Sequence, residues 1–408
     1  MAIAADQAPA ATITAHPLVR RLTLLAAASL TVMSGATIAP SIPALQTHFA
    51  SVPNADLLAR LVLTIPALFV AVFAPLAGLI ADRFGRVRLL FGAVLLYAPA
   101  GASGLVLDSL TGILVGRALL GAAVAGTMTA ALTLVGDYFE GDARDRFMSI
   151  QTSFNAFGGV VFLAAGGVLA DLHWRGPFAI YLVAIALLPM IAITLYEPDL
   201  RRTAPGQASP SVAGAPPYAL MAFVYGLGLV SMSAFYVIPS QLPFYLLEFG
   251  ISEPSQAGLA IACFTLAAAV AALLYRHVKA RLSYQGIFAT AFTAQAVAYV
   301  LIANASGYGV IVAALFIGGA GAGIALPSFS LWLLAHVPAA LRGRAMGGLT
   351  MSFFLGQFLS PLLTQPIARA FGLSAVFAFT SALVALFAVG FIVAAFRRAR
   401  TAEVQPSS

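Results

Sequence analysis

Long apolar runs separated by short polar segments occupy almost the whole chain. Each run has about 20 or more residues, rich in Ala, Leu, Gly and Val, which is the length a helix needs to cross a bilayer. The runs are continuous and lack the alternation typical of a membrane β-strand. The pattern predicts an all-α polytopic membrane protein with twelve transmembrane helices, at residues 18–45, 57–80, 89–107, 112–137, 148–170, 177–196, 218–247, 256–275, 284–304, 309–337, 346–370 and 372–396.

The spacing of these runs changes once, near the middle of the chain. Residues 197–217 contain several prolines together with Arg201, Arg202, Ser and Gly, a composition typical of a polar linker between domains. The sequence therefore predicts two pseudo-symmetric six-helix bundles, at 18–196 and 218–396. They are joined by a cytoplasmic linker at 197–217 and flanked by cytoplasmic tails at 1–17 and 397–408.

The low content of charged residues excludes a soluble protein. Only 9% of the residues are charged and 61% are hydrophobic, whereas soluble chains carry about a quarter charged residues. The single cysteine, Cys263, excludes an intramolecular disulfide framework and a cysteine-based metal cluster. No cluster of His, Cys and carboxylates indicates a metal site, and we expect no cofactor.

The formal charge of +7 could indicate nucleic-acid binding, but the positions of the basic residues indicate membrane topology instead. With both termini on one side, that side receives seventeen of the 21 Lys and Arg residues. The opposite side receives Arg60, Arg175 and Arg369, and Arg117 lies within a span. The positive-inside rule makes the first side cytoplasmic, so we expect both termini there and no nucleic-acid partner.

The two halves of the chain resemble each other at positions that seldom match by chance. A shift of 198 residues places Arg144 on Arg342 and Gly158 on Gly356, and a shift of 199 places Pro40 on Pro239. Two parallel six-helix repeats are one known transporter architecture, with the solute site near mid-membrane between them.

The loop after the second predicted span holds the strongest motif. Its residues follow the arrangement Gly, three residues, Asp-Arg-x-Gly-Arg, and are Gly78, Asp82, Arg83, Gly85 and Arg86. This motif, in this loop, resembles the major facilitator superfamily, and within it the twelve-helix drug:proton antiporter-like branch. The resemblance covers nearly the whole chain. It implies a multi-pass transporter of the bacterial cytoplasmic (inner) membrane that works by alternating access.

The same resemblance implies that this loop is a gate, which holds the cytoplasmic side closed in the outward-facing state. Gly85 permits a tight turn, and Gly78 lets a neighbouring helix approach closely. Asp82 can face the N-terminus of a helix, and Arg86 can pair with Asp137 at the end of the fourth span. The alternative is that the basic residues of the loop only set the topology.

Arg117 lies within the fourth predicted span, with Gly121 four residues later. A charge at mid-membrane costs about 2.5–3.5 kcal/mol, so such a residue usually faces a cavity. The pair resembles a second motif of the family, whose Arg is linked to proton coupling. We expect its partner to be Thr37 or a broken backbone near Pro40. The alternative is that Arg117 snorkels to nearby water.

Proton coupling has few other candidates in this chain. No Asp or Glu lies deep within a predicted span, although embedded carboxylates are the usual proton sites of carriers. Asp108, close in sequence to the span with Arg117, is the best candidate for a coupling role. Facilitated diffusion therefore stays an alternative.

The fifth span matches only part of the antiporter motif Gly-x-x-x-Gly-Pro-x-x-Gly-Gly. Gly158 takes its first position and Gly166 and Gly167 its last two, but Phe162 and Leu163 replace the central Gly-Pro. This departure argues against drug antiport in particular and not against transport.

The resemblance also assigns spans 1, 4, 7 and 10 to the lining of the solute cavity. It implies cavity roles for polar or aromatic residues of those spans and of the flanking spans 5 and 11, namely Thr37, Tyr236, Ser328, Asn155 and Gln357. The alternative is that these side chains only connect helices by hydrogen bonds.

Three functions remain open at the level of sequence. The first, which we favour, is proton-coupled export of a small organic solute. The second is uptake of a nutrient, such as a vitamin, sugar or organic acid, by a symporter or facilitator. The third is a receptor on the same scaffold that does not transport. We expect a monomer whose partners are a small molecule, protons and membrane lipids, and we do not expect an enzyme.

Overall fold

The computed structural model describes residues 17–198 and 217–404, and these residues are almost entirely helical. Residues 1–16, 199–216 and 405–408, which include most of the predicted tails and linker, lie outside the described part of the chain. In the first half the helices are α1 (Pro17–Met33), α2 (Ile42–His48), α3 (Ala55–Phe84), α4 (Arg86–Ala102), α5 (Leu110–Tyr138), α6 (Gly141–Leu172) and α7 (Leu187–Thr194). A long 3-10 helix, Gly176–Ala186, precedes α7.

The second half repeats this arrangement with longer continuous helices. Its helices are α8 (Tyr218–Glu248), α9 (Pro254–Leu273), α10 (Tyr275–Arg281), α11 (Tyr284–Ala303), α12 (Tyr308–His336), α13 (Arg342–Phe371) and α14 (Leu373–Val404). Within the described ranges, eleven helical segments are long and apolar enough to cross a membrane. The all-α, two-bundle architecture predicted from the sequence is confirmed.

The first predicted span, 18–45, is not one helix. Helix α1 ends at Met33, the chain turns through residues 34–38, and a 3-10 turn at Ala39–Ser41 leads into α2. Pro40 and Pro43 each lack the N–H that a continuous helix needs, and Gly35 favours irregular backbone. The first span is therefore a broken helix, a form tolerated at membrane depth only where protein or a water-filled cavity surrounds it.

The repeat seen in the sequence extends to matching contacts between helices. The Tyr97 hydroxyl on α4 donates to the Leu30 carbonyl on α1 at 2.7 Å, and the Tyr299 hydroxyl on α11 donates to the Ala234 carbonyl on α8 at 2.6 Å. These two tyrosines are offset by 202 positions, more than the shifts of 198 and 199 found from the sequence. The connections of the two halves therefore differ in length while the helix packing is shared.

The bundle has two ends, which differ in how the halves meet. We call the end with residue 17, the turn at Gly85 and the attachment points 198 and 217 the linker end, and the opposite end the far end. Glycine faces bring α6 and α9 together toward the far end, where a Cβ on Gly167 would lie 2.9 Å from Ser255 Cα. The Ser255 amide also donates to Asp171 Oδ1 across the halves at 2.9 Å.

The membrane orientation predicted from the basic residues can be tested with reporter tags. Tags placed at residue 8, between residues 203 and 212, and after residue 402 should all report a cytoplasmic location, because the linker end carries nearly all the basic residues. Paired phosphatase and fluorescent-protein fusions would measure this. An extracytoplasmic signal from the linker tag would contradict the arrangement of six spans on each side of it.

Candidate functional site

A cavity of about 300 Å³ lies between the two halves at the depth where the first span is broken. The first half contributes residues of α1, the following turn, α3 and α6, and the second half contributes residues of α8, α9 and α13. Its lining residues are Thr31, Val32, Ser34, Gly35, Ala36, Thr37, Leu63, Pro66, Ala67, Val70, Gly159, Leu163, Met232, Phe235, Tyr236, Thr265, Phe354 and Gln357.

The wall of this cavity is mostly apolar, with a few hydroxyl groups and one amide. Among the described residues that line it, none carries a charge. The polar side chains of the wall are those of Thr31, Ser34, Thr37, Tyr236, Thr265 and Gln357. An apolar cavity with a few placed polar groups is the usual form of a small-molecule site.

The turn after α1 brings the two halves into contact at this cavity. A Cβ on Gly35 would lie 3.2 Å from the Tyr236 hydroxyl oxygen on α8, closer than ordinary van der Waals contact. A Cβ at Gly35 would therefore require the Tyr236 hydroxyl to shift by a few tenths of an ångström. The turn that follows the break in the first span thus contacts Tyr236 of the second half at the cavity.

Three of the five predicted cavity residues line the cavity, namely Thr37, Tyr236 and Gln357. Asn155 does not line it, but it lies one helical turn from Gly159 on the same face of α6. Its Oδ1 atom is buried without a hydrogen-bond partner in the described part of the chain.

Ser328, the fifth predicted cavity residue, does not line this cavity. It is fully buried, donates to the Ile324 carbonyl at 2.8 Å and lies 3.2 Å from the Tyr275 hydroxyl. The register of α12 turns this position toward α10 and away from the interface between the halves. Sequence alone did not give that register, because α12 is apolar on all sides.

The sequence analysis proposed no cavity role for the other lining residues, among them Met232, Phe235, Thr265 and Phe354. Thr265 is a hydroxyl residue in an apolar run on α9, which gave a weak signal that went unused. The aromatic residues gave none, because the chain carries 29 Phe, most of them in other spans.

Arg117 lies directly behind the cavity wall and is fully buried, with 0% of its surface exposed. Its Nε donates to the Val62 carbonyl on α3 at 2.9 Å, and its Nη2 donates to the Ser34 carbonyl at 3.1 Å. Its guanidinium also lies over the Tyr181 ring, 5.1 Å from the centroid. Arg117 therefore does not snorkel to water in this structure.

Local sequence explains why these two carbonyls are free to accept. Val62 precedes Pro66 by four residues, so the Val62 carbonyl has no helical N–H partner. Ser34 comes directly after the last residue of α1, where the carbonyls of the final turn lack partners. The guanidinium of Arg117 supplies donors to both, and so connects the first, second and fourth spans.

The predicted partners of Arg117 were only partly right. A broken backbone on the first span does accept from it, but at Ser34 and not near Pro40. The Thr37 hydroxyl instead donates to the Met33 carbonyl at 2.6 Å. Asp108 is not near the guanidinium either, because it forms an ion pair with Arg175 at the far end.

Polar side chains join the two halves at the far end, about one helical turn or more beyond the lining residues Leu63 and Tyr236. We name Asp56, Arg60, Gln241, Gln365 and Arg369 the far-end layer. Arg369 Nε and Nη2 donate to the two carboxylate oxygens of Asp56 at 2.7 and 2.6 Å. The Gln365 amide donates to Asp56 Oδ2 at 2.6 Å. These bonds join α3 in the first half to α13 in the second.

Arg60 forms the inner part of the far-end layer and is only 3% exposed. Its Nε donates to Gln241 Oε1 on α8 at 2.9 Å, and its guanidinium lies 3.7 Å from the centroid of the Phe244 ring. The sequence analysis placed Arg60 at the edge of the second predicted span, on the side opposite the termini. Its role was missed because the buried amide and ring that surround it come from the other half of the chain.

The predicted loop at the linker end is only a turn at Gly85 in the structure, because α3 extends to Phe84 and α4 begins at Arg86. Contacts within the first half stabilise this turn. Gly85 has a φ of +100°, a left-handed conformation that favours glycine. Arg86 Nε lies 3.4 Å from Asp137 Oδ2, which brings together the pair expected from the sequence. The Glu197 carboxylate accepts from the backbone amides of Arg86 and Val87 at 2.5 and 3.0 Å, so it caps the start of α4.

The other predicted gate residues lie apart from the second half. Asp82 and Arg83 are exposed, and the space where a Cβ on Gly78 would lie is open. The helix N-terminus next to this loop is capped by Glu197, which the sequence analysis placed in the linker. Both observations fit a structure in which the halves meet at the far end and are separated at the linker end.

Comparison with known proteins gives matches along most of the chain. The model of the Major Facilitator Superfamily matches residues 24–252 and 224–408. The multi-drug resistance efflux pump PmrA of Streptococcus pneumoniae is 23% identical over 334 residues, which cover 80% of this chain and 83% of that protein. The Bacillibactin exporter of Bacillus subtilis is 32% identical over 128 residues, but these are only 29% of this chain and 31% of that exporter.

A solved structure shows the same fold over nearly the full length. The crystal structure of a D-xylose-proton symporter superposes with a TM-score of 0.75 at 17% identity, covering 92% of this chain and 98% of that one. At that identity the likeness concerns the fold alone. Since the family model matches both halves of the chain, the protein belongs to the major facilitator superfamily of membrane transporters.

Proposed function

We propose that this protein exports a small organic solute across the bacterial cytoplasmic membrane by alternating access, coupled to protons. The observation that carries this proposal is the central cavity between the halves, closed at the far end by bonds between them. A cavity at the interface of two repeats, closed at one end, is the arrangement that alternating access requires. The protein acts as a monomer, because both walls of the cavity come from one chain.

Export is supported by the two relatives named as an efflux pump and an exporter. Uptake by a symporter or facilitator is the second candidate, and a specific observation favours it. Helix α6 lacks the central Gly-Pro of the drug antiporter motif, and the kinking proline is instead Pro361 on α13. The direction of transport therefore needs a direct measurement.

The linker-end loop supplies the second gate in this proposal. When the far end opens, the halves close at the linker end, and Asp82, Arg83 and Gly78 then meet the second half. Arg86, Asp137 and Glu197 hold the turn rigid in both states, because their contacts lie within the first half. Arg117 couples the two events, since its bonds join the broken first span to α3 and α5.

Flux measurements in membrane vesicles would establish the direction and the coupling. A panel of small aromatic acids, amides and amines would first be screened by counterflow in proteoliposomes. In everted vesicles with an acidic lumen, an exporter coupled to protons should accumulate the solute above equilibrium. Loss of solute from the lumen would establish uptake by symport, and equilibration without accumulation would establish facilitated diffusion. The absence of counterflow would contradict transport.

Replacement of Arg117 by Lys tests the coupling role. We expect Arg117→Lys to reduce accumulation against a gradient at least tenfold while counterflow persists. A lysine presents one point charge and cannot reproduce two directed bonds to carbonyls on different spans. Arg88→Lys, at an exposed position in the first turn of α4, is the matched control and should leave both activities unchanged. Normal accumulation of the solute by Arg117→Lys would contradict a role of Arg117 in coupling.

Replacement of Asp56 by Asn tests the far-end gate. The ion pair with Arg369 is partly exposed, with 48% of the Arg369 and 27% of the Asp56 side chain accessible. Loss of this ion pair should raise the population of molecules that are open at the far end several-fold. The measurement is labelling of Phe354→Cys from outside intact cells, in a Cys263→Ala background.

A matched control for that experiment lies at the same end of the molecule. Asp108→Asn also removes a carboxylate paired with an arginine, but Arg175 and Asp108 both belong to the first half. It should not change the labelling rate. Equal labelling of the two variants and the parent would show that the far-end layer does not hold the cavity closed.

A further inference from the structure

Two buried arginines lie close behind the residues that line the central cavity, and neither has a carboxylate of its own. Arg117 lies behind the side wall and Arg60 closes the far end, with 0% and 3% of their surfaces exposed. A buried charge in a protein normally has a partner of opposite charge. The partners of these two arginines are therefore worth following atom by atom.

The hydrogen bonds of Arg117 go to neutral groups. Its two bonded nitrogens donate to backbone carbonyls, and in the described part of the chain its Nη1 has no hydrogen-bond partner although it is buried. Carbonyl dipoles orient the guanidinium but leave its net charge in place. Ser34, whose carbonyl accepts from Nη2, is itself a lining residue, so the charge lies one residue behind the cavity surface.

Arg60 is in a similar situation. It donates to Gln241 Oε1, to Gln46 Oε1 at 3.2 Å and to the Asp56 backbone carbonyl at 2.7 Å, which are all neutral groups. The Asp56 carboxylate one turn away is already held by Arg369 through two bonds. Two arginines thus share one carboxylate in the far-end layer, and one positive charge is left over.

The acidic residues of the chain do not offset these charges at membrane depth. All 14 Asp and Glu residues lie in the predicted tails, loops or linker, or at the ends of predicted spans. Electrostatic interactions across an apolar interior are screened far less than in water. The positive charges of Arg117 and Arg60 are therefore not offset by any carboxylate in the uncharged, mostly apolar wall of the cavity.

We infer that the transported solute is a small organic anion with an apolar, aromatic-sized body. The inference rests on the proposed transport function and adds the chemical class of its substrate. The anionic group lies toward the Ser34 and far-end side of the cavity, where Tyr236 offers a hydroxyl donor. The apolar part packs against Phe235, Phe354 and Leu163. An organic cation of the same shape is repelled by Arg117 and Arg60.

The sign of the potential can be measured with charged thiol reagents. Tyr236→Cys in a Cys263→Ala background places one thiol in the cavity. The labelling rate of this thiol would be measured with two methanethiosulfonate reagents, the anionic 2-sulfonatoethyl and the cationic 2-trimethylammonioethyl compound. Each rate would be divided by the rate at which the same reagent reacts with 2-mercaptoethanol in solution. We expect the anionic reagent to be favoured about tenfold or more after this correction.

Variants that remove one positive charge test whether Arg117 and Arg60 produce the potential. Arg117→Gln and Arg60→Gln should each reduce the anion preference several-fold, and two variants at separate sites guard against misfolding of either. Arg117→Lys keeps the charge and should keep the preference. A preference for the cationic reagent, or one that neither Gln variant changes, would overturn the inference. So would a thiol that neither reagent reaches, because a solute of similar size could not enter.

Protection by matched ligands tests the substrate class itself. We expect 2-naphthoate to slow labelling of the cavity thiol, and 2-naphthamide and 2-naphthylmethylammonium to do so at least tenfold less effectively. Equal protection by all three would overturn the inference. The flux assay separates the two proposals. If the cavity prefers anions but no flux is found, only the proposed transport function is contradicted. If flux is found and favours the ammonium compound, only the assignment of an anionic substrate is contradicted.

Discussion

The architecture of the first half depends on a single guanidinium buried where the bilayer would otherwise be its solvent. Burying Arg117 is costly unless its donors are satisfied, and a regular transmembrane helix offers no free acceptors. This chain provides acceptors in two ways. Pro66 frees the Val62 carbonyl on α3, and the break after Met33 frees the Ser34 carbonyl. The broken first span and the cavity beside it are therefore linked to the presence of the arginine.

Close helix packing makes these bonds possible. A Cβ on Gly121 would lie 2.3 Å from the Pro66 carbonyl oxygen, so only glycine lets α5 approach α3 at this depth. Gly101 likewise leaves room for the Tyr181 ring, on which the guanidinium rests. The Arg-x-x-x-Gly pattern of the fourth span therefore has a geometric meaning. The arginine supplies the donors, and the glycine one turn later lets the acceptor helix come within reach.

The two halves share their packing but not their charge. Gly323 on α12 approaches the Ala268 carbonyl on α9 as Gly121 approaches that of Pro66, again at an offset of 202. At the same offset, the counterpart of Arg117 is Gly319, which packs against the Phe264 carbonyl. The first half thus contributes the buried charge and the broken backbone, and the second half contributes the aromatic and amide surface of the cavity.

The sequence by itself determined the membrane environment, the helical class, the two bundles and the family. These follow from local properties, namely run length, scarcity of charge and a motif in one loop. It also identified Arg117, because a lone charge in an apolar run is visible without any structure. The tertiary structure alone decided which side chains meet. Thr37, Tyr236 and Gln357 reach the cavity and Ser328 does not, because the rotation of a uniformly apolar helix leaves no trace in its sequence. Arg60 and Glu197 could not be assigned for a related reason, since their partners lie 181 and about 110 residues away along the chain and come near only when the helices pack.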